Sequence, residues 1–290
     1  MSGIKKYFSL IKFSHTVFAL PFALVGFFLA AYQPGYALNV RTLFLIVLCM
    51  VFARSAAMAF NRYLDRDIDA QNPRTAVREI PSGAIRPAQA LFFVLLNAAL
   101  FIATTYFINP ICFYLSPVAL LVILGYSYTK RFTAFCHFVL GLGLSLAPIG
   151  AYLAVTGEFA VLPLLFSAVV LFWVSGFDII YALQDEQFDR EHQLHSMPAR
   201  LGRSRALRLA RLLHLFSAFF MLLAGWQLLH TYPELSWLSW LGITVFLGLL
   251  FYQHTIVTPD DLSRVNLAFF TTNGLASVIF GALVMLDFWV

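Results

Sequence analysis

The sequence contains nine apolar segments that are each long enough to cross a lipid bilayer. A crossing takes about 20 predominantly apolar residues, because a helix rises about 1.5 Å per residue through a hydrocarbon layer about 30 Å thick. In hydrocarbon every backbone N–H and C=O must find its partner within the protein, so each segment is expected to be a helix. The third and fourth segments are separated only by a tight turn at Asn109-Pro110. The segments run approximately over residues 13–32, 42–61, 88–107, 111–128, 133–154, 159–181, 207–230, 235–254 and 265–287.

The composition excludes an ordinary soluble domain. The 290 residues are 61% hydrophobic, 17% aromatic and 11% charged, whereas about a quarter of the residues in a soluble domain carry charge. We therefore predict an all-α integral membrane protein with nine transmembrane helices in one bundle, formed by residues 1–290 as a single domain. The first segment lacks a small-residue cleavage site, so we do not expect a cleavable signal peptide.

The basic residues are unevenly distributed between the two sides of the predicted bundle. With nine spans, 17 of the 19 lysines and arginines fall on the side of the N-terminus, while Arg41 lies on the other side and Arg54 within a span. Cytoplasmic loops carry such an excess. We therefore predict a multi-pass protein of the cell inner membrane, with the N-terminus inside and the C-terminus outside. The net charge of +5 then follows from topology, and no nucleic-acid partner is expected.

Two polar clusters with the same spacing lie 120 residues apart, at the predicted cytoplasmic ends of two spans. They are Asn61-x3-Asp65-x3-Asp69 and Tyr181-x3-Asp185-x3-Asp189, a weak internal repeat. Carboxylates four residues apart lie on one helix face and repel each other unless a cation is shared. Mg²⁺ prefers such oxygen ligands, so each cluster predicts half of a magnesium site. The alternative is an interfacial helix end, where charged residues are common.

Two ionisable residues are predicted to lie inside the spans, where charge is costly and usually faces a cavity or a partner. Asp178 precedes Asp185 by two helical turns, which keeps both on one side of the helix. Arg54 precedes Asn61 by the same interval. Asp178 is either an acid that faces the site or the structural partner of a buried arginine such as Arg54, and the sequence leaves both readings open.

Further basic residues flank the clusters. Arg74, Arg78 and Arg86 follow the first cluster, and Arg78 is the preferred phosphate ligand because it precedes the turn Pro81-Ser82-Gly83. Lys12 opens the first span. Tyr126 lies one turn before Lys130, which Arg131 follows. A basic residue at the end of a span is otherwise most often a topology anchor.

Together these motifs resemble those of the UbiA superfamily of intramembrane prenyltransferases. The family signature N-D-x2-D-x3-D, followed by R-T and R-P-L-P-S-G, is similar to the segment from Asn61 to Gly83. Arg62 and Glu79 replace the usual Asp and Pro, which is typical of the 4-hydroxybenzoate polyprenyltransferase-like branch. The second signature, D-x2-Y-x3-D-x3-D, matches Asp178 to Asp189, and Y-x3-K matches Tyr126 and Lys130.

The resemblance implies a cytoplasmic cap of loops and short helices over a central cavity, with a polyprenyl diphosphate held by Mg²⁺ between the clusters. It assigns Asp65 and Asp185 to catalysis. For the base that accepts the ring proton, we choose Asp178. Arg54 or Lys12 would bind a carboxylate of the aromatic acceptor. The magnesium ligands would be Asn61, Asp65, Asp69, Asp185 and Asp189. The diphosphate ligands would be Lys130, Arg78, Arg131 and Tyr126.

The predicted reaction is magnesium-dependent prenylation of 4-hydroxybenzoate in ubiquinone-type quinone biosynthesis. The alternative acceptor is 1,4-dihydroxy-6-naphthoate, in the futalosine route to menaquinone, which this branch serves in some bacteria. An ion-coupled transporter is a more distant alternative, since intramembrane acids and repeats occur there too. The expected partners are these two substrates and the lipid bilayer, without an obligate protein partner.

Overall fold

The computed structural model of the chain describes Tyr7, Leu10 and residues 18–290, which form helices and connecting loops without strands. A 3-10 turn, Leu183–Asp185, joins the seventh helix to the eighth, and a π-helical segment, Leu267–Thr272, leads into the last. In chain order the α-helices are α1 (Leu20–Ala31), α2 (Val40–Leu64), α3 (Arg66–Gln71), α4 (Pro87–Tyr106), α5 (Pro110–Thr129), α6 (Cys136–Thr156), α7 (Val161–Ala182), α8 (Glu186–Glu191), α9 (Met197–Leu201), α10 (Arg203–Thr231), α11 (Trp237–Ile256) and α12 (Asn273–Asp287).

The predicted all-α membrane bundle is confirmed. Among the described residues, eight helical stretches are long and apolar enough to cross a membrane, and they correspond to the second to ninth predicted segments. The shorter apolar helix α1 occupies the second part of the first predicted segment, 13–32. The described residues therefore account for eight full spans plus α1.

Local sequence signals set several helix ends. The Asn39 side chain accepts a hydrogen bond from the Thr42 backbone N–H at 3.2 Å and caps α2. Asn109 caps α5 in the same way and Pro110 occupies its first turn, which suits a position whose N–H has no helical partner. The predicted turn between the third and fourth spans is therefore present. Gly157 ends α6 with φ 71°, a left-handed conformation that glycine adopts without strain.

Aromatic packing holds the second half of the bundle together. Trp173 of α7 is fully buried, and its ring lies 5.6 Å from that of Phe22 in α1 and 5.4 Å from that of Phe246 in α11. Its indole N–H donates to the Asn273 side chain of α12 at 2.8 Å. A buried Trp both removes a large apolar area from water and needs such an acceptor. Trp173 thereby fixes α7, which carries the second cluster, against three other helices.

A cap of short helices and loops lies where α2, α5 and α7 finish, which we call the site end of the bundle. The cap comprises α3, α8, α9 and the loop 72–86. The His195 backbone N–H donates to the Lys130 carbonyl at 2.7 Å, and the side chains of Arg74 and Asp185 form an ion pair. These contacts join the end of α5 to the segment before α9, and the loop that follows the first cluster to Asp185 of the second.

At the opposite end, the buried Asp287 carboxylate holds the start of α11. It accepts hydrogen bonds from the Ser236 hydroxyl at 2.6 Å, the Ser236 N–H at 3.0 Å and the Ser239 N–H at 2.9 Å. Replacing Asp287 with Ala should lower the free energy of unfolding by about 1–3 kcal/mol, because buried donors lose their acceptor. Thermal unfolding in detergent measures this. The exposed Asp260→Ala should change stability little, and equal losses in both variants would contradict the prediction.

Candidate active site at the ends of α2, α5 and α7

The first cluster begins in the last turn of α2 and continues through α3. The Asp65 N–H donates to the Asn61 carbonyl at 2.9 Å, and the Asp69 N–H donates to the Asp65 carbonyl at 2.7 Å. This spacing keeps the three side chains on one stripe although the helix assignment changes at Asp65. The Asn61 amide also donates to Asp65 Oδ2 at 3.1 Å. Asp65 and Asp69 are buried while Asp67 is exposed, as the stripe predicts.

The second cluster does not continue as a regular α-helix. The α7 helix ends at Ala182, Asp185 closes the 3-10 turn, and Asp189 lies in α8. Asp185 faces the loop that follows the first cluster, where the Asn72 amide donates to Asp185 Oδ1 at 3.2 Å. The tighter turn thus coincides with a contact made across the site, which the sequence pattern did not indicate.

Basic side chains neutralise the first cluster. Lys130 Nζ lies 2.5 Å from Asp65 Oδ2, and Arg131 Nη2 lies 3.2 Å from Asp65 Oδ1. Arg78 Nη1 contacts both oxygens of Asp69, at 2.7 and 2.8 Å. The three basic residues among the predicted diphosphate ligands therefore lie directly beside Asp65 and Asp69, and positive charge is concentrated at the first cluster.

Arg74 joins the loop that follows the first cluster to the second cluster, a role that the sequence did not single out. Its Nε donates to Asp185 Oδ1 at 3.0 Å and its Nη2 pairs with the other carboxylate oxygen. Its Nη1 donates to the Tyr181 hydroxyl at 3.1 Å. Such a two-pronged arginine–carboxylate contact fixes orientation as well as charge. In the sequence, Arg74 was one of three arginines that follow the first cluster, and it forms the R-T element of the family signature.

The electrostatics of Asp65 show why these cations are needed. Burial raises the pKa of the Asp65 carboxyl above its ordinary value, and the adjacent Lys130 ammonium opposes that shift. Removing an ionised carboxylate from water is costly unless it is paired or binds a metal. Asp65 is 1% exposed, so its charged form depends on the cations that surround it.

The donor set suits Mg²⁺, although the described residues contain no group of three His, Cys, Asp or Glu side chains that would hold a metal ion unaided. Mg²⁺ is usually bound by one or two carboxylates together with substrate phosphate oxygens and water. The Asn61 amide and the Asp65 carboxylate lie within hydrogen-bond distance of each other, and Asp69 follows one turn later. The two clusters therefore have the chemistry of sites that bind Mg²⁺ jointly with a phosphate ligand.

An apolar cavity of about 410 Å³ extends from the site end between α2, α4, α5 and α6. Among the described residues that line it, Arg54 is the charged one, and Tyr126 contributes a phenol. Arg54 Nε is buried and has no hydrogen-bond partner within the described part of the chain. Of the two expectations for Arg54, a cavity and a carboxylate partner, the structure shows the cavity. Lys12, the other predicted acceptor ligand, lies outside the described residues.

Asp178 is partnered by a histidine and not by Arg54. His137 Nδ1 of α6 lies 2.7 Å from Asp178 Oδ2. The Asp178 side chain keeps 22% of its surface exposed while that of His137 keeps 3%. Tyr126 lies within electrostatic range of Asp178, Asp65 and Arg54. His137 was not predicted as a site residue, and its one signal in the sequence is that an ionisable residue lies within an apolar span.

Comparison with known proteins confirms the family resemblance that the motifs indicated. A model of the UbiA prenyltransferase family matches residues 19–275. The 4-hydroxybenzoate octaprenyltransferase of Nitrosospira multiformis is 32% identical over 246 residues, which cover 84% of this chain and 82% of the relative. The 4-hydroxybenzoate octaprenyltransferase of Tolumonas auensis is 30% identical over 245 residues, which cover 84% of each chain.

Solved structures share the fold over nearly the whole chain. The apo structure of a UbiA homolog from Aeropyrum pernix K1 matches with a TM-score of 0.83 and 31% identity, covering 94% of this chain and 98% of that one. A UbiA homolog from Archaeoglobus fulgidus bound to DMAPP and Mg²⁺ has the same fold, with a TM-score of 0.76, 21% identity, and coverage of 98% and 99%.

Proposed function

Because this chain belongs to the UbiA prenyltransferase family, we propose that it transfers a polyprenyl group from a polyprenyl diphosphate to an aromatic acceptor, with 4-hydroxybenzoate as the favoured acceptor. The observation that carries this proposal is the placement of two carboxylate clusters and their cations at the same end of the bundle, next to the helices that enclose an apolar cavity. A polar diphosphate and a long apolar tail require such a pair of neighbouring environments. The names of the relatives support the choice of acceptor.

The diphosphate is proposed to bind at the site end, between the clusters. Bound Mg²⁺, held by Asn61, Asp65, Asp69, Asp185 and Asp189, would neutralise charge on the leaving group. Lys130, Arg78 and Arg131 would contact the phosphate oxygens, with Tyr126 at the cavity side. These cations already lie within ion-pair distance of Asp65 and Asp69. Positive charge fixed in advance where negative charge develops lowers the barrier to diphosphate departure.

The acceptor is proposed to lie at the site end of the cavity, between Arg54 and Asp178. An allylic cation formed by diphosphate departure alkylates a ring carbon ortho to the phenol, and Asp178 accepts the ring proton. The apolar lining of the cavity would exclude water, which would otherwise trap the cation. Arg54 would pair with the acceptor carboxylate, which explains a guanidinium placed in an apolar cavity.

Replacing Arg54 with Leu should raise the KM for 4-hydroxybenzoate about 10- to 100-fold, because a charged hydrogen bond is worth about 1.5–3 kcal/mol. The KM for the prenyl diphosphate should change much less. The matched control is Arg41→Leu, an exposed arginine at the start of α2, far along the helix from the site. Steady-state kinetics with each substrate varied in turn makes the comparison. Equal KM values for 4-hydroxybenzoate in the two variants would remove Arg54 from the acceptor site.

The identity of the acceptor is tested by offering the two candidates in parallel assays. Membranes containing the protein are supplied with Mg²⁺, a radiolabelled all-trans prenyl diphosphate, and either 4-hydroxybenzoate or 1,4-dihydroxy-6-naphthoate. Lipophilic product with 4-hydroxybenzoate alone supports the ubiquinone-type reaction. Product with the naphthoate alone keeps the mechanism and moves the protein to menaquinone formation.

We further propose that the protein resides in the inner membrane with the N-terminus and the site end on the cytoplasmic side. The asymmetric distribution of Lys and Arg supports this orientation. A cytoplasmic site would also meet its water-soluble acceptor without a transport step.

A further inference from the structure

His137 contacts two groups that belong to different parts of the site. Its Nδ1 lies 2.7 Å from Asp178 Oδ2 in α7, and its Nε2 lies 3.2 Å from the Met197 backbone nitrogen at the start of α9. The His137 side chain is almost completely buried. Both ring nitrogens therefore have one defined partner each within the described structure.

These partners determine where the ring proton lies. A backbone N–H can only donate, so Nε2 of His137 must accept from Met197 and carries no hydrogen. In a neutral imidazole the other nitrogen is then protonated, so Nδ1–H donates to Asp178. The hydrogen-bond network thus assigns the Nδ1–H tautomer, and Asp178 Oδ2 accepts the hydrogen bond from His137. Because Oδ2 is occupied by His137, Oδ1 remains the oxygen that can take a further proton.

The segment that fixes the tautomer also contacts the diphosphate side of the site. The His195 N–H donates to the Lys130 carbonyl at 2.7 Å, and the Ser196 hydroxyl accepts from the Ala199 N–H at 3.3 Å and caps α9. The segment 195–197 therefore joins Lys130 to His137 through three consecutive residues. The proton-accepting side of the site is positioned by the same segment that borders the proposed phosphate ligand.

We propose that His137 is a positioning residue for Asp178 and determines which oxygen receives the ring proton; this rests on the proposed prenyl transfer. In that reaction the C1–O bond of the prenyl diphosphate breaks, and its electron pair leaves with the diphosphate. A bond forms between C1 and the acceptor ring carbon. The ring C–H electron pair then restores aromaticity while the proton passes to Oδ1 of Asp178. Similar orientation of a catalytic group by a hydrogen-bonded neighbour is common in enzyme sites.

Two amide substitutions separate the two contacts of His137. His137→Asn keeps an N–H donor near the position of Nδ1, whereas His137→Gln keeps an acceptor near the position of Nε2 and loses the donor to Asp178. We expect kcat to fall about 10- to 100-fold in His137→Gln, the scale of effect caused by misplacing a catalytic group. His137→Asn should stay within a few-fold of the wild type. The KM values of both substrates should change little in either variant.

An isotope effect identifies the affected step. The kcat is compared for 4-hydroxybenzoate and for the same compound deuterated at both ring positions ortho to the hydroxyl. We expect the isotope effect to increase from the wild type to His137→Gln, because ring-proton removal becomes slower, and to remain unchanged in His137→Asn. This ratio is independent of how much of the variant folds.

The outcomes distinguish the two proposals. If the wild type makes no prenylated product with either acceptor, the proposed function fails. If the wild type is active and His137→Gln shows the wild-type kcat and isotope effect, the role of His137 is overturned. Equal loss of kcat in both variants, without a change in the isotope effect, also overturns it, because His137 would then be a packing residue.

Discussion

Replacing either Asp65 or Asp185 with Ala is expected to lower prenyl transfer by at least about 10³-fold while leaving the protein folded in the membrane. Each carboxylate is the central member of its cluster. Asp65 contacts Lys130 and Arg131, and Asp185 contacts Arg74. Loss of either removes a proposed magnesium ligand and also leaves neighbouring cations without their counter-charge, so neither half of the site can compensate for the other.

Asp67 provides the matched control for this prediction. It lies between Asp65 and Asp69 in sequence, but its side chain is 80% exposed and its closest ion pair is with Arg66 at 3.7 Å. Asp67→Ala should therefore retain wild-type activity. Radiolabelled product is measured at equal amounts of membrane-inserted protein, judged by detergent extraction and size-exclusion chromatography. Product at the wild-type rate from Asp65→Ala or Asp185→Ala would refute the assignment of the clusters to the metal.

Replacing Lys130 with Met is expected to reduce kcat by about 10²-fold or more, since one fixed group that stabilises developing charge typically contributes that much. Met keeps the apolar stem of Lys and removes only the charge. Lys130→Arg should recover part of the activity, because it restores the charge in a different shape. The effect should appear mainly in kcat, as the leaving diphosphate gains charge in the transition state.

Arg190 is the control for a general loss of positive charge. It belongs to the same cap, is largely exposed and pairs with Glu186, so Arg190→Met should leave kcat within a few-fold of the wild type. Comparable losses in Lys130→Met and Arg190→Met would mean that overall charge at the site end matters, and not a contact from Lys130.

The helices and their ends followed from the sequence because their causes are local. Apolar length predicted the spans, and the Asn109-Pro110 pair predicted the turn between α4 and α5. The stripe of Asn61, Asp65 and Asp69 was predicted from helical spacing and survives the change of helix at Asp65. These features depend only on neighbours within a few residues.

The pairing within the site was only partly predictable. The sequence placed both clusters at one end of the bundle. The contact between Arg74 and Asp185, however, joins residues 111 positions apart, and no periodic pattern in the sequence indicates it. The same contact accompanies the 3-10 turn at Asp185, where helical spacing alone favours a continuous helix. Tertiary contacts therefore override local preference at this point.

Asp178 shows the same limit for a single side chain. The sequence left open whether Asp178 faces the site or pairs with a buried arginine such as Arg54, whereas the structure pairs it with His137. Which residues of different helices face each other depends on helix rotation and packing, and hydropathy does not report either.

The most direct test of the account is the stoichiometry of the reaction in purified protein. The protein is reconstituted in lipid with radiolabelled prenyl diphosphate, aromatic acceptor and Mg²⁺, and both diphosphate and prenylated product are quantified before and after chelation by EDTA. We predict one diphosphate released per prenylated acceptor and loss of both on chelation. Cation flux across the membrane without magnesium-dependent diphosphate release would contradict the account and identify a transporter instead.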